Sequence, residues 1–179
     1  MLKENNEYVE VYTLNENGSR VKTGNLAKRG NPVGDGFYVI GVNNWIINSD
    51  GKVLVQKRSR YKKNNPGKWS STNGLREPNE ESINTIIRET KEELGIEINS
   101  ENISFVDSRV AGESLIVDIF VSRADIDINQ ITIQAEEVEE VRFVSLDELL
   151  ELDVSTTCQY IKELATLIFQ KANELEAKK

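Results

Sequence analysis

Segment 74–96, GLREPNEESINTIIRETKEELGI, most constrains what this chain can fold into. It reads G-x5-E-x7-R-E-T-x-E-E-x-G-I, with Gly74, Glu80, Arg88, Glu89, Glu92, Glu93, Gly95 and Ile96 at the named positions. The pattern predicts a helix over 79–94, with Asn79 as N-cap and Gly95 closing the C-terminal end. Each helical residue advances by about 100°, so Glu89, Glu92 and Glu93 share an arc of about 100°. Ile83, Ile86, Ile87 and Leu94 form the adjacent stripe, about 60° to 160° from Glu89, which is expected to pack on a sheet. One edge of the helix is anchored in a core while the next presents acid. Like charges three and four apart destabilise a helix by about a few tenths of a kcal/mol per pair, and burial raises the cost. A bound divalent cation reverses that preference. The plain alternative is a solvated, glutamate-rich face.

The chain of 179 residues has the size of one domain with a sizeable core. It contains no histidine, so imidazole can serve neither as base nor as ligand. Zinc sites of the His/Cys type are excluded, and an oxygen-liking ion such as Mg²⁺ or Mn²⁺ is the metal these residues suit. A net charge of −8 argues against a broad grip on nucleic-acid polymers. It also means that an anionic substrate needs a cation to offset the protein's own field. No apolar run is long enough to span a bilayer, and MLKENNEYVE lacks a signal-peptide core, so the cytoplasm is the expected compartment. Cys158 is the single cysteine, which rules out an intrachain disulfide, and it reads as a buried, inert thiol on a helix.

Along the chain, residues 7–24 read as a β-hairpin and LAKRGNPVGDG as an irregular connector. Two β-rich runs follow in FYVIGVNNWIINSDGKVLVQKRS, joined at Ser49-Asp50-Gly51. RYKKNNPGKWSSTNG reads as a polar, basic loop. After the glutamate-rich helix, ISFVDSRVAGESLIVDIFVSRAD supplies two strands, and EEVEEVRFVSLDELLEL a short strand and a helix opened by a Ser145/Glu148 capping box. Ile161, Leu164, Ala165, Ile168 and Leu175 recur at helical spacing in the C-terminal stretch. The order predicts an α/β (α+β) fold with a mixed sheet: residues 1–35 as a hairpin extension and connector, 36–179 as the main domain. The hairpin is expected either to pack on that domain or to mediate a homodimer.

The spacing in 74–96 resembles the Nudix box, G-x5-E-x7-R-E-U-x-E-E-x-G-U, where U is a bulky apolar residue. At ordinary residue frequencies, coincidence would match its fixed positions about once in 10⁷ to 10⁸ starting points. Thr90 stands at the first U, Asn73 precedes Gly74 where a second glycine is usual, and Asn79 replaces the glycine before Glu80. The resemblance implies an α/β/α sandwich with a mixed sheet and hydrolysis of a diphosphate linked to another moiety. It implies Mg²⁺ or Mn²⁺ held by Glu89, Glu92 and Glu93, a bracing Glu80–Arg88 pair, and turns at Gly74 and Gly95. Family members often add an acid from a distant loop. Glu137 stands at that position, with Glu136, Glu139 and Glu140 as rivals and Glu113 as a weaker candidate. Glu93 or Glu137 is the candidate base, and Glu89 belongs to the same catalytic set. Lys57, Arg58 and Arg60, with Lys62 and Lys63, are candidates for holding phosphates, or form a solvated basic loop.

VLVQKRSRYKKNNPGKW resembles the subgroup that includes isopentenyl-diphosphate isomerases. Those enzymes use a cysteine before the box and several histidines; Asn73 and Leu75 occupy the corresponding positions, so isomerase chemistry is not expected. A non-catalytic nucleotide-binding module is the other rival, and such modules usually lose box carboxylates that are all present in this chain. Trp45, Trp69 and Tyr61 are candidates for stacking on a base or for ordinary packing. Substrate identity is open among nucleoside diphosphate sugars, dinucleoside polyphosphates, nucleoside triphosphates and isoprenoid-type diphosphates.

Overall fold

The computed structural model describes residues 7–153 and 155–176, the last two without their side chains. The strands are β1 (Tyr8–Leu14), β2 (Arg20–Lys28), β3 (Val39–Ile47), β4 (Val53–Arg58), β5 (Trp69–Ser70), β6 (Thr72–Leu75), β7 (Ile103–Ala111), β8 (Leu115–Arg123) and β9 (Val138–Val144). The helices are α1 (Ser82–Leu94), α2 (Leu146–Glu151) and α3 (Gln159–Glu176).

β3 is the central strand, and its sequence shows why. VIGVNNWII is buried along nearly its whole length, as expected of a strand covered on both faces. Trp45 and Ile47 point to one side, into a core under α2 and α3 with Val53, Val55, Ile161 and Leu164. Val42 and Ile46 point to the other, into a core under α1 with Leu54, Ile86, Leu94 and Phe120. Period-two alternation thus feeds two cores, and the layers are helix, mixed sheet, helix.

β3 pairs parallel with β8 from Val39↔Leu115 to Ile47↔Arg123, and antiparallel with β6 from Gly41↔Leu75 to Asn44↔Thr72. β7 completes that half against β8. β4 touches β3 in register only at Ile47↔Val53, beside the Ser49-Asp50-Gly51 turn, and then leaves to pair with β9 and β5. The sheet therefore splits between β3 and β4, and the split opens toward α1.

The β1–β2 hairpin runs to Lys28, so part of the expected connector is strand. It packs on the domain: Tyr12 and Tyr38 exchange backbone hydrogen bonds of 2.8 Å, and Val9, Val11 and Tyr12 are buried. Arg20 in β2 forks onto the Asp118 carboxylate of β8 and contacts Ser108, while the Ser82 hydroxyl at the start of α1 donates to Asp118 at 2.6 Å. Burial raises the Asp118 pKa, but these donors outweigh it and hold the carboxyl below its ordinary value.

α1 begins at Ser82 with Glu81 as its flanking residue, not at Asn79. Asn79 adopts a left-handed φ of 64° in a turn where the Glu80 N–H donates to the Glu77 carbonyl. That turn brings the Glu80 carboxylate back toward the helix, which a continuous helix from 79 would not do. Gly95 closes α1 at φ 68°, as expected, and Ile83, Ile86, Ile87 and Leu94 face the core. The presumed loop before the box is strand from Trp69 onward, since Trp69 is drawn into the core. The Ser145/Glu148 capping box is present on α2. Cys158 is buried just ahead of α3, whose Ile161, Leu164, Ala165 and Ile168 are buried; the expected contribution of Leu175 lies outside the described side chains. Among the described residues, no helix is long and apolar enough to cross a membrane.

Thr90 takes a core position with no exposed surface, and among the described residues its hydroxyl has no hydrogen-bond partner. A buried hydroxyl left unpaired destabilises the fold by about 1–3 kcal/mol. Thr90→Val, which keeps the shape and removes the hydroxyl, is expected to raise stability by about 1 kcal/mol in urea unfolding. An unchanged or lower midpoint would show that the hydroxyl is satisfied in solution.

Candidate active site

The glutamate-rich turn of α1 lies over the split in the sheet, and each of its carboxylates meets a different environment. Arg88 is the hub. Its Nε and Nη2 fork onto both Glu80 oxygens at 3.0 Å, and Nη2 also donates to the Leu75 carbonyl at 3.2 Å. Its Nη1 reaches Glu89 at 3.0 Å and Glu92 at 3.2 Å. Burial raises the Glu80 pKa, yet Arg88, the Glu77 N–H and the Thr85 hydroxyl together hold it below the ordinary value. This planar, bidentate geometry is specific to arginine, since lysine offers a single point charge.

Glu89 is 6% exposed, and its carboxylate lies against the backbone of Gly74 in β6. A Cβ at residue 74 would overlap that carboxylate, which accounts for glycine at this position. Gly74 is a strand residue with φ outside the left-handed region, so close approach replaces the tight turn implied by the resemblance. Burial pushes the Glu89 carboxyl above its ordinary value, against the opposing charges of Arg88 and Arg29.

Glu93 is 4% exposed. Burial pushes its carboxyl up to about 8, the Glu89 and Glu137 charges add to that rise, and the Gln56 bond and the Arg58 charge oppose it. The Gln56 amide Nε2 donates to Glu93 Oε2 at 2.7 Å. Glu92, with a side chain 54% exposed, lies at the rim.

The candidates outside the box separate by face. Glu137 lines the cleft and pairs with Lys62. Glu139 instead faces outward to Arg60 at 2.7 Å and Lys57 at 3.9 Å. Glu136, Glu140 and Glu113 are exposed, the last at the cleft edge. Of Lys57, Arg58 and Arg60, Arg58 alone lines the cleft, while Lys57 and Arg60 pair with Glu139. Trp45 and Trp69 are core residues, whereas Tyr61 is 85% exposed at the cleft mouth.

Sequence reasoning missed Gln56, Arg29 and Lys68. Gln56 carried one signal, a polar residue inside the apolar run Val53-Leu54-Val55. Arg29 reaches the cleft from the end of the hairpin, and no local pattern announces that. The cleft is broadly open to solvent and has a volume of about 1550 Å³, above the ~300–1000 Å³ usual for small ligands.

No three acidic or cysteine groups among the described residues close around one point, and Arg88 engages Glu89 and Glu92. The donor chemistry nonetheless fits a hard divalent cation. It is carboxylate oxygen throughout, with one buried member, Glu93, that no arginine or lysine neutralises by contact and that burial drives toward the protonated form.

The NUDIX domain model matches residues 37–163. An uncharacterized Nudix hydrolase of Listeria innocua is 33% identical over 137 residues, spanning 76% of this chain and 79% of that protein. An isopentenyl-diphosphate Delta-isomerase of Shigella flexneri is 34% identical over 100 residues, 55% of this chain and 54% of that one. Among solved structures, DR0079 from Deinococcus radiodurans shares the fold with a TM-score of 0.72 at 20% identity, covering 90% of this chain and 99% of that one. The family model, the box and the Listeria relative point to a hydrolase of phosphoric anhydrides. The chain belongs to the Nudix family and is a pyrophosphohydrolase.

Two outcomes follow from this geometry. Gly74→Ala must displace the Glu89 side chain, and overpacking of that kind costs about 1–3 kcal/mol, read as a lower urea midpoint with reduced activity. For Glu93 the folded value of about 8 lies above the ordinary 4.5. Below pH 4.5 both states are protonated and nothing is lost. Between 4.5 and 8 the unfolded chain releases its proton first, so the metal-free folded state loses stability as pH rises through that window. Calorimetry of metal-free protein from pH 5.5 to 8 should show the unfolding temperature falling more steeply for wild type than for Glu93→Gln; equal slopes would refute the assignment.

Proposed function

We propose that the chain hydrolyses the diphosphate bond of an organic diphosphate, such as a nucleoside diphosphate linked to another moiety, with Mg²⁺ or Mn²⁺ as cofactor. The observation that carries this reading is the burial of Glu89 and Glu93 on one turn of α1, beside a cleft that Arg58, Lys62 and Lys63 also line. Glu89, Glu92, Glu93 and Glu137 are the residues that would hold the ion. Bound there, it neutralises charge on phosphate oxygens and lowers the pKa of an attacking water.

The chain's own residues supply the rest. Glu93 or Glu137 accepts the proton of the attacking water, a task that falls to carboxylates in a chain without histidine. Arg88 stays on its structural fork with Glu80 and braces the loop before α1. Arg58 orients phosphate oxygens from the β4 side. Hydrolysis is favoured over isomerisation by Asn73, a neutral amide bonded to the Ser71 carbonyl at 2.9 Å and placed 3.4 Å from the Tyr160 hydroxyl. Neither group takes the acid–base part that a cysteine plays at that position. In this reading residues 36–179 form the hydrolase domain and residues 1–35 an N-terminal extension, whose residues 7–35 pack on it, and the enzyme acts in the cytoplasm on small molecules.

The test is phosphate release from a panel of nucleoside diphosphate sugars, dinucleoside polyphosphates, nucleoside triphosphates and isoprenoid diphosphates, with and without Mg²⁺ or Mn²⁺. At least one substrate should turn over only with metal. Glu93→Gln should lower kcat by about 10²–10⁴-fold if Glu93 is the base, with a smaller loss for the rim residue Glu92→Gln. Tight nucleotide binding with no turnover across the panel would favour a binding module instead.

A further inference from the structure

Glu93 is the one buried carboxylate of α1 that Arg88 does not touch, and its contact from the opposite wall comes from β4. That contact is Gln56, which is 2% exposed and lies where the sheet splits. The amide is held at both ends: Nε2 donates to Glu93 Oε2 at 2.7 Å, and Oε1 accepts from the Thr72 hydroxyl at 3.2 Å. The Thr72 hydroxyl, in β6, donates to the amide oxygen and so supports the orientation in which the N–H₂ faces Glu93.

The chemistry of the residue type is informative. An aliphatic side chain would leave a desolvated carboxylate without a donor. A lysine or arginine would form an ion pair with Glu93 and cancel the charge that a cation needs. Another carboxylate would add repulsion beside Glu89 and Glu137. A neutral amide avoids all three outcomes, fixing one oxygen of Glu93 without forming an ion pair that would compete with a cation. We infer that Gln56, oriented by Thr72, is a positioning residue that sets the Glu93 carboxylate for cation binding and catalysis; this rests on the metal-dependent reading of the site given above.

A purely structural Gln56 would affect stability alone, so the test separates stability from metal binding. Mn²⁺ binding is measured by the electron paramagnetic resonance of the free ion, beside kcat, KM and the metal-free unfolding temperature, for wild type, Gln56→Met and Thr72→Val. Partners behind metal ligands typically contribute about 10–100-fold to affinity or activity. Gln56→Met should therefore weaken Mn²⁺ binding and lower kcat by about that factor, with KM within about twofold. Thr72→Val should shift both in the same direction by less, and it carries the test should Gln56→Met fail to fold. Mn²⁺ affinity and kcat within about twofold of wild type in the folded variants would overturn the inference, whatever happens to the unfolding temperature. A wild type that binds no Mn²⁺ would overturn the metal reading itself, and the role of Gln56 with it.

Discussion

Two carboxylates taken out of water on one turn of a helix are the constraint on which the rest of this structure depends. Glu89 and Glu93 are both nearly inaccessible, and burial raises the pKa of each carboxyl before any neighbour acts. The protein answers with unequal compensation. Glu89 shares Arg88 with Glu80 and Glu92, and it also feels Arg29 from the hairpin. Among the described residues Glu93 receives only a neutral amide bond, so burial drives its carboxyl toward the protonated form until a cation is present. Burial of that kind is tolerable where a cation completes it, and local conflict of this sort gathers at functional sites.

The scaffold makes the unequal arrangement possible. β3 and β4 leave one turn in register for a single pair and then diverge. Had they stayed paired, β4 would lie flat against β3 and no gap would open beneath α1. Because they part, Gln56 and Arg58 project into the opening from one wall while α1 and β6 form the other. Gly74 sets how closely α1 lies on β6, since any side chain there would occupy the space of the Glu89 carboxylate. The hairpin adds a third wall and is tied down by Arg20 on the largely buried Asp118, an ion pair whose separation would strand a charge away from water.

Kinship with isopentenyl-diphosphate isomerases sits comfortably with this site. The likeness covers about half of each chain. The difference lies at residue 73, where an asparagine amide bridges the Ser71 carbonyl and the Tyr160 hydroxyl. Burial pushes the Tyr160 phenol up to about 12, so it stays protonated and acts as a hydrogen-bonding group. At that position the cleft offers an amide and a protonated phenol in place of a cysteine.

Local pattern made much of this legible. The α1 stripe, the Gly95 cap, the capping box of Ser145 and Glu148, and the β7–β8 pair all follow from spacing and residue type within a few positions. The family was legible because the box places charge, glycine and apolar residues at intervals that one helix and its flanks must honour. Less legible were the start of α1 and the roles of Lys57 and Arg60. Asn79 is a good cap in isolation, but the Glu80–Arg88 fork bends the chain first. Lys57 and Arg60 sit in a basic run like Arg58, and only the facing of β4 and the position of Glu139 separate them. By itself, then, the sequence determined the fold family, the acidic turn of α1 and the absence of imidazole chemistry, since these depend on residue identity and short-range periodicity. Tertiary structure alone decided which carboxylate is compensated by charge and which by an amide. It also decided which cations face the cleft, because those outcomes depend on strands distant in sequence meeting across the split in the sheet.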